Sequence, residues 1–125
     1  MNFKIIKLPD VISFLLRKLI NDHYNGKLMV IDVVDSIFFF LKESPIPKSF
    51  IVENLDLLKQ RTVNNYVLGI YDNFHGLIKE RKEQLLNANI KLTIGKYFII
   101  SFFWYIKNKF PEEYVNYISI YRTSI

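Results

Sequence analysis

The sequence predicts an all-α protein, a compact bundle of about six helices around a hydrophobic central helix, with residues 1–125 as a single helical domain. The central helix is predicted over Ile94–Phe110, where nine of the ten residues between Lys96 and Lys107 are apolar or aromatic. A helix that is apolar on nearly every side must be wrapped by other elements or lie in lipid. Crossing a bilayer takes about 20 apolar residues, so this shorter stretch indicates a buried core helix. The four glycines and four prolines are too few for a turn-rich all-β protein.

Two helices are predicted in the first third of the chain. The first begins at Pro9, because proline suits the first helical turn, and ends at Asn25-Gly26, since glycine tolerates the left-handed conformation that closes a helix. The second covers Lys27–Lys42, where the polar residues recur at helical spacing, although its β-branched residues leave a strand as the alternative. The two prolines of Ser44–Lys48 then form a loop.

Three further helices complete the predicted bundle. A short helix is expected over Phe50–Gln60, and the best-patterned amphipathic helix over Thr62–Glu83, with Thr62 as its cap. Thr93 is the predicted cap of the central helix, and Pro111 ends that helix and opens the last one. The expected inner face of the last helix consists of Tyr114, Val115, Ile118 and Tyr121.

Composition restricts the classes of function. The chain has no cysteine, which excludes disulfides, thiol catalysis and cysteine-ligated zinc. Its net charge of +5 comes from basic residues spread along the chain, whereas nucleic-acid-binding domains more often concentrate them on one face. The segment Met1–Leu8 is too short and too interrupted for a secretory signal, so we expect a cytoplasmic protein without a transmembrane segment.

The sequence contains few residues that could carry catalysis or bind metal. Asp72 and His75 stand three residues apart on one predicted helix, as Asp32 and Asp35 do on another. Such groups on facing helices can bind a di-metal centre, but the Glu-x-x-His pairs typical of these centres are absent. We interpret the two aspartates as the polar stripe of a buried helix. No phosphate-binding loop or catalytic triad is recognisable, and we expect a non-enzyme without cofactor or metal.

Two glycines inside the Thr62–Glu83 helix indicate a contact surface. Gly69 and Gly76 are seven residues apart and so lie on nearly the same side, although each costs roughly 1 kcal/mol relative to Ala within a helix. With Tyr66 and Asn73 they form a strip without bulk that another helix can approach closely. This strip is either an internal helix crossing or the wall of a groove that accepts a partner's amphipathic helix. These four residues are the predicted partner-binding site.

The C-terminal end interleaves basic and aromatic residues in a way that would allow stacking on single-stranded bases. The residues concerned are Lys107, Lys109, Tyr114, Tyr117, Tyr121 and Arg122. The alternative interpretation is a solvated helix end beside core tyrosines. Aromatic residues make up 16% of the chain, more than one small core needs, so an exposed aromatic patch would mark a binding surface or a dimer interface.

The segment Tyr24–Asp35, with weaker echoes at Val63–Asn65, Glu80–Glu83 and Phe98–Phe110, resembles the short poxvirus proteins with the Bcl (apoptosis-regulator) fold. The Asn-Trp-Gly-Arg motif of the cellular members is absent, and Ile94-Gly95-Lys96 is its nearest counterpart. The resemblance implies a non-enzyme that acts by occupying a host protein. Such proteins hold a death-promoting amphipathic helix in a groove, or dimerise and block innate-immune adaptors.

We therefore predict a non-enzymatic helical interaction protein. The chain is rich in Lys, Ile, Asn, Tyr and Phe, as AT-rich coding tends to produce, so we expect it to come from a virus or another source with an AT-rich genome. It would bind and inhibit a host protein of apoptotic or innate-immune signalling, in the host cytoplasm, through a helix groove or a surface patch. Its partner would be a protein, for instance an amphipathic helix, with a homodimer as a further arrangement. Two alternatives stay open: a small basic nucleic-acid-associated protein, and a viral structural or immunity protein that self-assembles or touches membranes.

Overall fold

Helices predominate in the computed structural model, which describes residues 3–59 and 65–124. Strand β1 (Phe3–Leu8) leads into helices α1 (Asp10–Tyr24) and α2 (Val30–Glu43). The later elements are α3 (Lys48–Glu53), a 3₁₀ turn (Leu55–Leu58), β2 (Tyr66–Tyr71), a 3₁₀ turn (Asp72–Phe74), α4 (His75–Asn87), α5 (Ile94–Lys109) and α6 (Pro111–Ser124). The predicted helical fold class is confirmed, with a small two-stranded sheet added to it. None of the described helices is both long enough and apolar enough to cross a membrane.

Helix α5 is the buried centre of the protein, as its apolar sequence predicts. Nine of its sixteen residues are buried, and it packs against α6, α2, β1 and the 3₁₀ turn at Leu55–Leu58. The hydroxyl of Ser101 is fully buried and donates to the carbonyl oxygen of Tyr97 at 2.6 Å, which satisfies it. Thr93 Oγ1 accepts a hydrogen bond from the Lys96 N–H at 3.2 Å, so the predicted cap is confirmed.

The predicted boundaries of the first helix agree with the structure, and the second helix is present but begins three residues later than predicted. Pro9 directly precedes α1, and Asn25 and Gly26 follow it with positive φ angles of 52° and 72°, which close the helix in the left-handed conformation. Within Lys27–Lys42 the chain is helical from Val30 onward, so the strand alternative is wrong. Tertiary burial of one face outweighs the strand preference of the β-branched residues in this segment.

A two-stranded antiparallel sheet replaces the first half of the predicted Thr62–Glu83 helix. β1 pairs with β2 so that Ile6 lies opposite Leu68, and both side chains are buried. Only the later part of the predicted helix, α4, is helical, and the cap predicted at Thr62 lies outside the described residues. The segment Tyr66–Tyr71 is rich in aromatic and β-branched residues, and its partner strand comes from the distant N-terminus. The spacing of apolar residues within one segment cannot predict that the segment pairs with a strand distant in the sequence.

Two other predicted elements differ from the structure. The segment predicted as one helix over Phe50–Gln60 is divided between α3 and the 3₁₀ turn at Leu55–Leu58, and Gln60 itself lies outside the described residues. On α6 the predicted inner face is wrong at Val115, which is 74% exposed. Tyr117 is buried instead, because it lies one helical turn from Tyr121 and therefore on the core side.

Candidate functional site

Helix α4 leaves most of its surface open. Of its thirteen residues only Ile78 is buried. Six residues spaced i, i+3, i+4, i+7, i+8 and i+11 lie on one side of the helix. They are His75, Ile78, Lys79, Lys82, Glu83 and Leu86. At 1.5 Å per residue this stripe is about 16 Å long, the length of three helical turns.

The stripe borders an open cavity of about 480 Å³, which we call the α4 groove. Its other lining residues are Lys91, Leu92 and Ile94, where the chain passes from α4 to α5, and Lys4 from β1. Part of the lining is apolar: Ile78 and Leu92 are buried, and Leu86 is 54% exposed. A concave surface with apolar side chains and a few polar groups is the usual form of a binding site.

Lysine dominates the charge of the α4 groove. Its lining contains four lysines, Lys4, Lys79, Lys82 and Lys91, against one acidic residue, Glu83. Within the described residues none of the four forms a salt bridge. The groove therefore combines an apolar interior with unpaired positive charges, which favours a ligand that has an apolar side and negative charges.

His75 contributes a polar group to the α4 groove. Its Nδ1 lies 3.5 Å from Asp72 Oδ1, so the structure does bring together this pair, which the sequence placed on one helix face. Its Nε2 is buried and has no hydrogen-bond partner in the described part of the chain. The imidazole therefore lines the groove, while Nε2 itself is enclosed by neighbouring atoms.

The di-metal arrangement considered from the sequence is not formed by the described residues. No group of three potential ligands there contains Asp32, Asp35, Asp72 or His75. Asp32 instead accepts a hydrogen bond from the Met29 N–H at 3.1 Å and so stabilises the start of α2. Burial and the neighbouring Asp32 charge raise the pKa of Asp35. The two aspartates thus occupy polar positions of α2, a helix in which five of fourteen residues are buried.

A different trio could hold a metal ion: His23 at the end of α1, and Glu112 and Glu113 at the start of α6. One ligand atom from each lies within 4.8 Å of the others, and His23 Nε2 is 3.4 Å from Glu113 Oε1. The ring of His23 also packs on Phe110, with 4.4 Å between ring centres. The two helix ends meet only in the folded chain, so spacing along the sequence does not reveal this cluster.

The glycine strip predicted as the partner-binding surface is not formed. Tyr66 and Gly69 lie on β2, three residues apart and hence on opposite faces of the strand. Asn73 lies in the 3₁₀ turn and Gly76 in the first turn of α4, where an added Cβ would meet no atom within 4 Å. None of the four lines the α4 groove. The strip required a continuous helix, and the sheet interrupts it.

Three of the C-terminal residues considered for base stacking are buried or form a salt bridge within the described part of the chain. Tyr117 and Tyr121 are fully buried, so neither ring can stack on a base. Arg122 Nε donates to Asp56 Oδ2 at 2.8 Å. The interpretation as core tyrosines beside a solvated helix end therefore agrees with the structure.

The α4 groove itself was missed because its lining comes from three parts of the chain. Lys79, Lys82 and Glu83 are close together in the sequence, but Lys4 and Lys91 join them only through the fold. No family model, curated protein or solved structure matches the chain significantly. The function of the groove must therefore be inferred from its own geometry and charge.

Proposed function

We propose that this protein is a non-enzymatic interaction module that inhibits a host protein by holding an amphipathic helix of that protein in the α4 groove. The observation that carries the proposal is the 16 Å stripe on α4, about three turns long, which borders an open, partly apolar cavity. A partner helix laid along this stripe would bury its apolar side against the exposed Leu86 and the half-buried Ile94, above the buried side chains of Ile78 and Leu92.

The packing of α4 supports the proposal. Ile78 is the single buried residue of α4. Leu86 is 54% exposed, so this apolar side chain lacks the cover that a packed helix would normally give it. The same mode of action is implied by the resemblance to the poxvirus Bcl-like proteins. The cytoplasm of an infected host cell is the compartment in which we expect it.

The proposal can be tested with designed peptides of about 18 residues, long enough for five helical turns. Each peptide carries leucines at i, i+3, i+4 and i+7 on a charge-balanced background. Chemical-shift mapping of the labelled protein should place the peptide on Lys79, Leu86 and Leu92. The peptide should become helical on binding, as seen by circular dichroism.

A matched pair of variants controls this experiment. Leu86 and Val115 are exposed aliphatic residues, 54% and 74% accessible, on α4 and α6 respectively. Leu86→Asp places a charge in the groove and should weaken peptide binding by about tenfold or more, whereas Val115→Asp should leave it unchanged. No binding by any peptide, or equal effects of the two variants, would contradict the proposed function.

A further inference from the structure

We infer that the helix accepted by the α4 groove is acidic, with carboxylates on both borders of its apolar face. This inference rests on the proposed function and adds the chemical class of the partner. Its starting point is the charge of the lining, four lysines against Glu83 alone. No described carboxylate lies within 4 Å of these lysine amines, so none of the four forms an ion pair with the described residues.

The lysines are distributed in a way that suits a helix rather than a single anion. Lys79 and Lys82 lie on α4, Lys91 lies on the connection to α5, and Lys4 lies on β1. Positive charge therefore comes from three separate elements that line the groove. A helix with Glu or Asp on both sides of its apolar stripe would place carboxylates toward more than one of these elements at once.

The apolar lining distinguishes this ligand from nucleic acid. A phosphate backbone would use the lysines but would leave Leu86, which is 54% exposed, without an apolar partner. An acidic amphipathic helix contacts both kinds of side chain.

The experiment compares three peptides with one apolar face and different flanking residues: glutamate, glutamine or lysine. Fluorescence anisotropy with the intact chain should show the glutamate peptide binding about tenfold more tightly than the glutamine peptide at low salt, and the lysine peptide binding most weakly. Raising the salt from about 50 to about 300 mM should reduce this preference, since exposed charges are screened.

Two variants test whether the preference for the glutamate peptide arises from the α4 groove. In Lys79→Gln/Lys82→Gln the glutamate peptide should lose most of its advantage, while the affinity of the glutamine peptide stays the same. Lys27→Gln removes an exposed lysine that does not line the groove, and it should change neither affinity.

The outcomes separate the two proposals. If glutamate and glutamine peptides bind with equal affinity, the inferred acidity is wrong and the proposed function stands. If no peptide binds, the proposed function fails, and the inference fails with it. If a single-stranded oligonucleotide binds as tightly as the glutamate peptide and competes with it, the lysines are a general polyanion site and the inference is overturned.

Discussion

Two polar residues in the described part of the chain are buried, and each donates a side-chain hydrogen bond to a backbone carbonyl oxygen. Ser101 donates to Tyr97, and Asn54 Nδ2 donates to the carbonyl oxygen of Phe50 at 2.8 Å. Asp35 differs, because its Oδ1 is buried without a hydrogen-bond partner in the described residues. Burial and the charge of Asp32 raise its pKa, so folding makes the ionised carboxylate less favourable than it is in the unfolded chain.

Asp35→Asn should therefore stabilise the protein at neutral pH. A carboxyl whose pKa is raised on folding contributes stability below its unfolded pKa and loses that contribution as the pH rises through the folded value. The advantage of the variant should be largest at pH 7 and shrink as the pH falls toward 3.8, the ordinary value for aspartate. Urea unfolding at pH 7 and near pH 3.5, followed by circular dichroism, measures the difference.

An exposed aspartate provides the control for this prediction. Asp10→Asn lies in the first turn of α1, where a negative charge favours the helix, and it should not raise stability at pH 7. A variant at Asp35 that is less stable than the native chain at both pH values would show that the carboxylate has a favourable partner.

At the scale of elements, α5 and α4 represent opposite extremes of packing. Nine residues of α5 are buried, whereas α4 buries Ile78 alone. A second, smaller cleft of about 200 Å³ lies on the other side of α4, lined by Arg81, Leu85 and Tyr97 among others. Burial raises the pKa of Tyr97 to about 12, so its phenol remains neutral there. Among the described helices α5 thus buries the most residues and α4 the fewest.

Replacing one aromatic residue of α5 should test whether this helix is the principal core element. Phe102→Ala removes a ring that is fully buried and should cost about 3–5 kcal/mol of unfolding free energy, through lost burial and the cavity left behind. The same substitution at Phe14, which is 56% exposed on α1, should cost much less, about 1 kcal/mol or below. Urea denaturation of both variants gives the comparison, and equal losses would show that α5 is not the principal core element.

At the scale of the whole molecule, the buried side chains form one continuous hydrophobic cluster. It includes residues of the sheet, such as Ile6 and Leu68, together with those of α5 and α6. Trp104, the single tryptophan, packs against this cluster, and its Nε1 donates to the carbonyl oxygen of Ser44 at 3.1 Å. A shared core of this kind couples the elements during unfolding.

We accordingly expect a single cooperative unfolding transition. Trp104 fluorescence reports on tertiary packing and far-ultraviolet circular dichroism on the helices, and both should give the same urea midpoint and slope. A helical signal that disappears at a higher urea concentration than the fluorescence change would show that part of the bundle unfolds separately.

The sequence could predict the features that have local causes. The central helix follows from a run in which nine of ten residues are apolar or aromatic. Its start follows from Thr93, whose side chain can accept a hydrogen bond from the Lys96 N–H. The end of α1 follows from Asn25-Gly26, and the end of α5 from Pro111. Each of these features depends on residues within one or two helical turns.

The sequence by itself thus determined the helical class, the core helix and the principal helix ends. The tertiary structure decided the rest. Tyr66–Tyr71 forms a strand because β1, from the far end of the chain, supplies its hydrogen-bond partners. The α4 groove exists because Lys4 and Lys91 are brought to the lysines of α4 by that same folding. A strand pairing and a charged cavity both depend on contacts between residues distant in sequence, and the residue pattern of a single segment cannot predict such contacts.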